Sequence, residues 1–478
     1  MPSKRSLRLF KKAAKQIPAY RTFLARHGCN PSSIKSLDSF RSSVPLTDKK
    51  SYLMKSNHND LIWSQAQENL LLLCATSGST GEPYYFPRDE KLSHQYSYII
   101  EDYLRYSSYG QGKTLVLIGF GMGVWIGGII TLRAFEIAVQ RLQAPVSILP
   151  AGYSKAEIFK ALKRLAPSYD QTIIVGYPPF VKEIVDEASG EQIDLPSLNV
   201  RFLFAAEAFT ETFRNYICEA AGINSVLRDT LNIYGTADIG AMAYETPLSI
   251  LVRRLVMHGD PLLRRELFRQ VEKTPTLAQY NPKFIEFEEV NGEIVLTGDA
   301  AMPLVRYAIG DHGGTFDYKY LDKVFKKYYI DLSSEISKAK IGPFVDKKKP
   351  FVFVYERKDL AATLQGIIIY PEFIKETLLR KNMHKDFTER FSMSTKYDIG
   401  HNQFLQVNIE LQKGVKSSTE LKNHALKAVF EGLLKHSSEF AEISKTQSAR
   451  KLLDVVLWPN AHPRYFAPGT KQKWVEKP

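Results

Sequence analysis

The sequence predicts an α/β protein: a large N-terminal domain of mostly parallel strands covered by helices, with a small barrel-like region, followed by a small mobile α+β domain. Three observations carry this reading. Between Thr114 and Ala205, short apolar runs ending in small or turn residues alternate with stretches of helical period. At Phe284 the pattern changes to strands around a tight-turn signal, and beyond a charged linker a further strand–helix–strand set follows.

Thr114-Leu-Val-Leu-Ile-Gly119, Gln171-Thr-Ile-Ile-Val175 and Val200-Arg-Phe-Leu-Phe-Ala205 are nearly continuous apolar runs, the mark of strands buried on both faces. Ser154–Leu165 and Pro179–Ala188 place apolar residues at three and four spacing, so helices are expected to cross between strands and make them parallel. Phe284–Val290 and Glu293–Thr297 flank Asn291-Gly292, a pair that tolerates the positive φ of a two-residue hairpin turn, and a barrel-like closure of the large domain is expected there. The Lys-rich stretch Lys347–Pro350 precedes the candidate linker Glu356-Arg-Lys-Asp359, giving expected domains of 1–355 and 356–478. In the second, Gln403–Glu410 and Lys451–Leu457 read as strands and Glu420–Lys435 as a helix. Leu248–Lys273, with Arg253, Arg254, Arg264, Arg265 and Arg269, reads as a helical insertion whose arginines form a solvated face in preference to an anion site.

The chain has 478 residues, 44% hydrophobic and 24% charged, a globular balance that excludes collagen, a disordered tail and a disulfide scaffold. Its net charge of +13 is regional: residues 1–60 carry +10 and residues 351–478 carry +6, while the middle is slightly acidic. Such a balance fits nucleic acid, an anionic membrane or a polyanionic small molecule. Met1–Leu37 holds no acid, as in an amphipathic targeting segment, yet Ile17-Pro18-Ala19-Tyr20-Arg21 breaks the helix early and a folded N-terminus is the better expectation. Cys29, Cys74 and Cys218 are odd in number and widely spaced, which suits a reduced, cytoplasmic compartment. The longest apolar run, Leu115–Ile130, is shorter than the roughly 20 residues of a spanning helix and is broken by glycines, so no membrane span is expected.

Thr76-Ser-Gly-Ser-Thr-Gly-Glu-Pro83 follows the apolar run Leu70–Leu73 and concentrates flexible backbone N–H donors and hydroxyls, a chemistry suited to polyphosphate. Two neighbours imitate nucleotide loops. Ser107–Thr114 lacks the first glycine of a Walker A loop and precedes its strand; Gly119-Phe-Gly-Met-Gly123 lacks the third glycine of a dinucleotide loop and reads as a wall along which a substrate approaches backbone. No GxSxG, HExxH or paired Cys/His signature is present.

Thr76–Pro83 resembles the phosphate-binding signature of the adenylate-forming superfamily, and other stations follow in that family's order. Asn232-Ile-Tyr-Gly-Thr-Ala-Asp238 resembles YGxxE; Ala301–Asp311 resembles the PLIRYRTRD stretch of phenylacetate-CoA ligases; Glu356–Asp359 with Gly366 and Tyr370-Pro371 resembles GRxDD…GxNVFP. Pro468–Val475 resembles the terminal EGKAKRV, and Ala19–Gly28, Ile34–Asp38 and Val44–Lys49 resemble the N-terminal region of the phenylacetate-CoA ligase branch.

The resemblance implies a two-step ligase that adenylates an aryl or acyl acid with ATP and Mg²⁺ and passes it to a thiol, with coenzyme A as the expected acceptor. An amine or a protein cysteine is the alternative acceptor. A basic binding protein with an inactive fold of this kind is the alternative of another class; aromatic-interleaved basic motifs are absent, so no nucleic-acid partner is expected, and a homodimer is left open. Thr76, Ser77, Gly78, Ser79, Thr80 and Gly81 would hold phosphates. Tyr234 would stack on adenine with Glu207 nearby, Gly235 and Thr236 would belong to the same nucleotide site, Asp311 would hold the ribose, and Arg357 ribose or phosphate. Asp238 stands where the family has glutamate and would help bind Mg²⁺, with Glu245 making up the shorter reach. Lys471 would be the catalytic lysine, Lys473 its competitor, and Lys358 or Asp359 the hinge.

Overall fold

The computed structural model describes residues 3–478 except 70, 77–83, 124–125, 270–273, 356–361, 379–381, 384, 467–473 and 476–478. The chain divides into two compact units, one of residues 1–75 and 85–358, the other of residues 76–84 and 359–478.

Strands β1 (Leu72–Thr76) and β2 (Tyr84–Arg88) form a two-stranded sheet. The first unit is built on an eleven-stranded sheet. Strands β3 (Thr114–Ile118), β4 (Val146–Leu149), β5 (Gln171–Gly176), β6 (Val200–Ala205) and β7 (Thr230–Thr236) lie parallel in the order β4-β3-β5-β6-β7. Burial explains their composition. Leu115, Leu117 and Ile174 meet Ile158, Leu162 and Ile184 on one face, while Val116, Ile118, Ile173 and Val175 meet Ile100, Tyr103 and Phe135 on the other. Successive residues point to opposite faces, so a strand covered on both sides is mostly apolar, and the few polar residues it holds, such as Arg201, are buried with partners.

At β8 (Gly240–Tyr244) the chain reverses, and β9 (Thr276–Gln279), β10 (Ile285–Val290), β11 (Glu293–Gly298), β12 (Leu304–Phe316) and β13 (Phe351–Tyr355) continue the sheet antiparallel in the order β8-β9-β13-β12-β11-β10. The expected hairpin is present: Val290 pairs with Glu293, and Asn291 and Gly292 adopt φ of 53° and 80°. These strands extend the large sheet; among the described residues they do not close a separate barrel.

The basic N-terminus is part of this unit. Helix Lys4–Gln16 buries Leu9, Phe10, Ala13 and Ala14 and turns Lys4, Arg8, Lys11, Lys12 and Lys15 outward. Phe10 packs edge-on against Tyr20 and Phe40, and the Ser3 amide donates to Glu286 on β10 at 2.7 Å. Further along, Thr47 pairs with β12: its N–H donates to the Arg306 carbonyl at 3.0 Å, and the Ala308 N–H donates to the Thr47 carbonyl at 2.8 Å.

Leu248–Lys273 departs from expectation in one respect. It is helical as expected, in two helices, Pro247–His258 and Pro261–Phe268, separated where Gly259-Asp260-Pro261 interrupts the pattern, but its first arginines do not form a solvated face. Arg253 is 3% exposed and donates to Glu211 at 2.7 Å, and Arg254 donates to the same carboxylate at 3.2 Å. Arg214 completes a buried cluster, forking both Glu211 oxygens at 3.2 and 3.1 Å and reaching Glu245 at 2.6 Å. Leu248, Ile250, Leu251, Val252 and Val256 are apolar around the whole helix, so it is core and its first arginine must be paired.

In the second unit β14 (Ala362–Leu364) and β15 (Ile367–Ile369) pair, and β16 (Phe387–Tyr397) and β17 (Gln403–Leu411) are antiparallel with β18 (Leu453–Trp458) parallel to β17. Helix Thr419–His436 supplies the crossover and packs Ala425, Val429 and Leu433 onto Phe391, Val407 and Val455. No described helix is long and apolar enough to cross a membrane.

Burial raises the Glu211 carboxyl, but Arg214, Arg253 and Arg254 outweigh it and hold it below its usual value of 4.5. A depressed folded-state value stabilises the fold above the unfolded pKa, and this contribution is lost as pH falls through the folded one. Glu211→Gln is expected to cost about 3–5 kcal/mol in urea denaturation at neutral pH, with a flatter loss of stability below pH 4.5 than the parent chain shows.

Candidate active site

The parallel strands β3 to β7 deliver their carboxyl ends to one edge of the sheet, where open α/β folds take ligands. At the end of β6, Ala206 adopts φ of 75°, a left-handed conformation unusual for a residue with a Cβ, and Glu207 follows, 8% exposed. The Asn232 side-chain amide donates to the Glu207 carbonyl at 3.0 Å, joining the ends of β6 and β7. The Asn232 Oδ1 atom is buried and has no partner among the described residues.

Two residues along β7, the Tyr234 phenol donates to Asp311 Oδ2 on β12 at 2.5 Å; Asp311 is 6% exposed. The Tyr234 ring lies 6.3 Å from that of Phe287, tilted by 30°. The β7–β8 register shifts between Tyr234 and Gly235, and the strands come so close there that a Cβ on Gly235 would stand 2.7 Å from the Gly240 carbonyl oxygen. The Thr236 hydroxyl oxygen is buried and also lacks a partner among the described residues. Asp238 follows, half-buried, and its Oδ2 accepts from the Tyr307 phenol of β12 at 2.6 Å. The structure therefore brings Glu207, Tyr234, Gly235, Thr236, Asp238 and Asp311 into one constellation.

Glu245 stands elsewhere. Its Oε1 accepts from Arg214 at 2.6 Å and its Oε2 from the Asn232 backbone N–H at 2.9 Å, and it is 1% exposed. A carboxylate committed on both oxygens inside an arginine cluster is structural, so the expectation that it extends the reach of Asp238 to a metal is corrected. Asp238 Oδ1, by contrast, carries no hydrogen bond among the described residues. No described group of three His, Cys, Asp or Glu side chains forms a metal cage. One carboxylate with a lone pair to spare suits Mg²⁺ in the form that keeps waters and substrate phosphates as its other ligands.

Ser77, Gly78, Ser79, Thr80, Gly81, Arg357, Lys358, Asp359, Lys471 and Lys473 lie outside the described residues, and of Thr76 only the backbone, ending β1, is described. The first imitation resolves into packing, and so does the first glycine of the second. Ser107 donates to Gln171 at 2.7 Å, and the Ser108 amide donates to Asp229 at 3.0 Å. Gly119 lies so close to the Phe180 ring that a Cβ would collide with it, which accounts for that glycine without a substrate. Sequence reasoning missed Tyr307 and Asn232. Asn232 was detectable as a polar residue inside the buried run Leu231–Ile233, whereas nothing in one sequence places Tyr307 opposite Asp238.

No protein-family profile and no curated protein matches the chain. Solved structures do. 2-Hydroxyisobutyryl-CoA ligase, in complex with 2-HIB-AMP and CoA in the thioesterification state, superposes with a TM-score of 0.65 at 16% identity, over 100% of this chain and 90% of that one. An open conformation of the same ligase with the same ligands gives 0.54 at 15% identity, over 99% and 91%. Its postadenylation state with 2-HIB-AMP gives 0.54 at 15%, over 99% and 89%. The chain has the adenylate-forming ligase fold.

Gly235→Ala tests the geometry at the end of β7. The added methyl group must displace the Gly240 carbonyl, and a loss of about 1–3 kcal/mol in chemical denaturation is expected, with amide resonance shifts concentrated at 234–241.

Proposed function

We propose that the chain is an ATP-dependent carboxylate ligase. A carboxylic acid of aryl or acyl type attacks the α-phosphate of ATP, giving an acyl-adenylate and releasing pyrophosphate; the thiol of coenzyme A then attacks the acyl carbon and AMP leaves. The observation that carries this reading is the pair of acids Asp238 and Asp311, each held by a tyrosine phenol, with the buried oxygens of Asn232 and Thr236, which lack partners among the described residues, on the same strand end as Tyr234. Asp311 accepts from the ribose hydroxyls, a bond strengthened by its charge. Tyr234 offers a ring face to adenine, beside Glu207 and Gly235, and the buried Asn232 Oδ1 suits the exocyclic amine of that base.

Asp238 is the protein ligand for Mg²⁺, which supplies charge neutralisation on the phosphate oxygens when bound. Thr76, Ser77, Gly78, Ser79, Thr80 and Gly81 cradle the β- and γ-phosphates with backbone and hydroxyl donors. Lys471 brings positive charge to the reacting carboxylate and α-phosphate, Arg357 contacts ribose or phosphate, and Lys358 or Asp359 is the hinge between half-reactions. The ligand pair in the solved 2-hydroxyisobutyryl-CoA ligase complex, an acyl-AMP and CoA, supports coenzyme A as acceptor. Three free cysteines, two of them buried, support a reduced, cytoplasmic setting.

Carboxylate-dependent ATP–pyrophosphate exchange across a broad panel of acids is the expected activity. Folded protein that exchanges with none of them sinks the reading. Asp311→Asn is expected to raise the KM for ATP by about tenfold to a hundredfold. Lys471→Ala is expected to abolish exchange while leaving thioester formation from supplied acyl-adenylate, and the same phenotype in Lys473→Ala instead would move the role to that residue. Mass spectrometry of products identifies the acceptor: acyl-CoA is expected, and acylation of an amine or a protein without coenzyme A counts against it.

A further inference from the structure

Arg88 ends β2, the strand that emerges from the Thr76–Pro83 segment, and is 4% exposed. Its neighbours in burial show what such a cation ordinarily requires. Arg201 pairs with Asp229, Arg214 with Glu211 and Glu245, Arg253 with Glu211, and Arg306 with Glu288. Arg88 forms no ion pair with a carboxylate among the described residues. Its Nη2 donates to the Ala237 carbonyl, its Nη1 donates to the Asp238 carbonyl at 3.4 Å, and its Nε has no hydrogen-bond partner among the described residues.

A guanidinium removed from water and set against two carbonyl dipoles is poorly compensated, and such a charge persists where its position is used. Burial pulls its pKa below the usual arginine value, while Cys74 and Asp238 oppose that pull. Both its hydrogen bonds to backbone carbonyls fall on the turn that presents the Asp238 carboxylate, while the Cys74 thiol also interacts with the guanidinium, and the Tyr307 phenol holds that carboxylate from the opposite strand. We propose that Arg88 is a positioning residue: it clamps the 237–238 backbone so that Asp238 meets the metal–nucleotide complex in one orientation, and it ties that turn to the strand leaving the phosphate-loop segment. The clamp is a statement about this chain's own backbone; its effect on Mg²⁺ rests on the ligase reading above.

The test uses Arg88→Met and Arg88→Lys in the full chain, with two independent readouts. In ligand-free protein, hydrogen–deuterium exchange of the peptide spanning 234–244 is expected to quicken by about tenfold in Arg88→Met, with peptides from β5 and β6 unchanged, and to fall between in Arg88→Lys. In ATP–pyrophosphate exchange, the half-saturating Mg²⁺ concentration is expected to rise by about tenfold while the KM for the acid moves less than about twofold. Folded variants with unchanged exchange in that peptide and an unchanged Mg²⁺ requirement overturn the proposal. If Arg88→Met does not fold, Arg88→Lys decides: faster exchange confined to 234–244 supports the clamp, and parent-like exchange refutes it. If the parent chain shows no pyrophosphate exchange, the ligase reading fails, while the deuterium measurement still decides whether Arg88 holds the turn.

Discussion

The end of the sheet depends on one buried carboxylate, Glu245. Its backbone N–H donates to the Asn232 carbonyl at 2.8 Å, and its side chain accepts back from the Asn232 N–H at 2.9 Å, so β7 is held to the residue after β8 twice over. Through the Asn232 side chain the same lock reaches the Glu207 carbonyl. Two residues further along β7, Tyr234 reaches Asp311. Arg214 then neutralises the carboxylate, and Arg214 is in turn balanced by Glu211. In a buried network of this kind each bond supports the next, which fixes the position of β7, and the Asn232 Oδ1 atom is its one member without a partner among the described residues.

The unit contains two chemically different environments for acids. Glu211 and Glu245 are enclosed by guanidinium groups that consume their charge. Asp238 receives one neutral phenol on one oxygen, and the nearest buried guanidinium bonds to its backbone instead of its carboxylate. The first arrangement is what a core requires of a buried charge; the second leaves one oxygen of Asp238 without a hydrogen bond among the described residues. Motif position alone does not separate these cases, since Asp238 and Glu245 are only seven residues apart.

Most of the parallel sheet was legible, because burial on both faces writes itself into a strand as an unbroken apolar run: Val200–Ala205 carries the same bounds in sequence and structure. The hairpin at Asn291-Gly292 was legible through its turn chemistry. Pairing over long separation was not. That β13 inserts between β12 and β9, or that Thr47 lies beside Tyr307, follows from how distant segments fit together and leaves no periodic mark. The nature of Leu248–Lys273 was legible in principle, since apolar residues surround its first helix, but the arginines drew the reading toward solvent. For the site, order along the chain pointed to the acids, and only register shows which tyrosine attends which.

The Ser3–Glu286 bond joins residues 283 positions apart. At cellular synthesis rates of about 5–20 residues per second, the helix Lys4–Gln16 leaves the ribosome roughly 15–60 s before the strand on which it docks has been made. Throughout that interval the apolar face has only its local partners, since Phe10 meets Tyr20 and Phe40 while the contact with Glu286 is still missing, and the lysines and arginines on the opposite face stay in water. The acid-free N-terminal segment thus waits longest for its last partner, and the finished unit carries it as a basic surface.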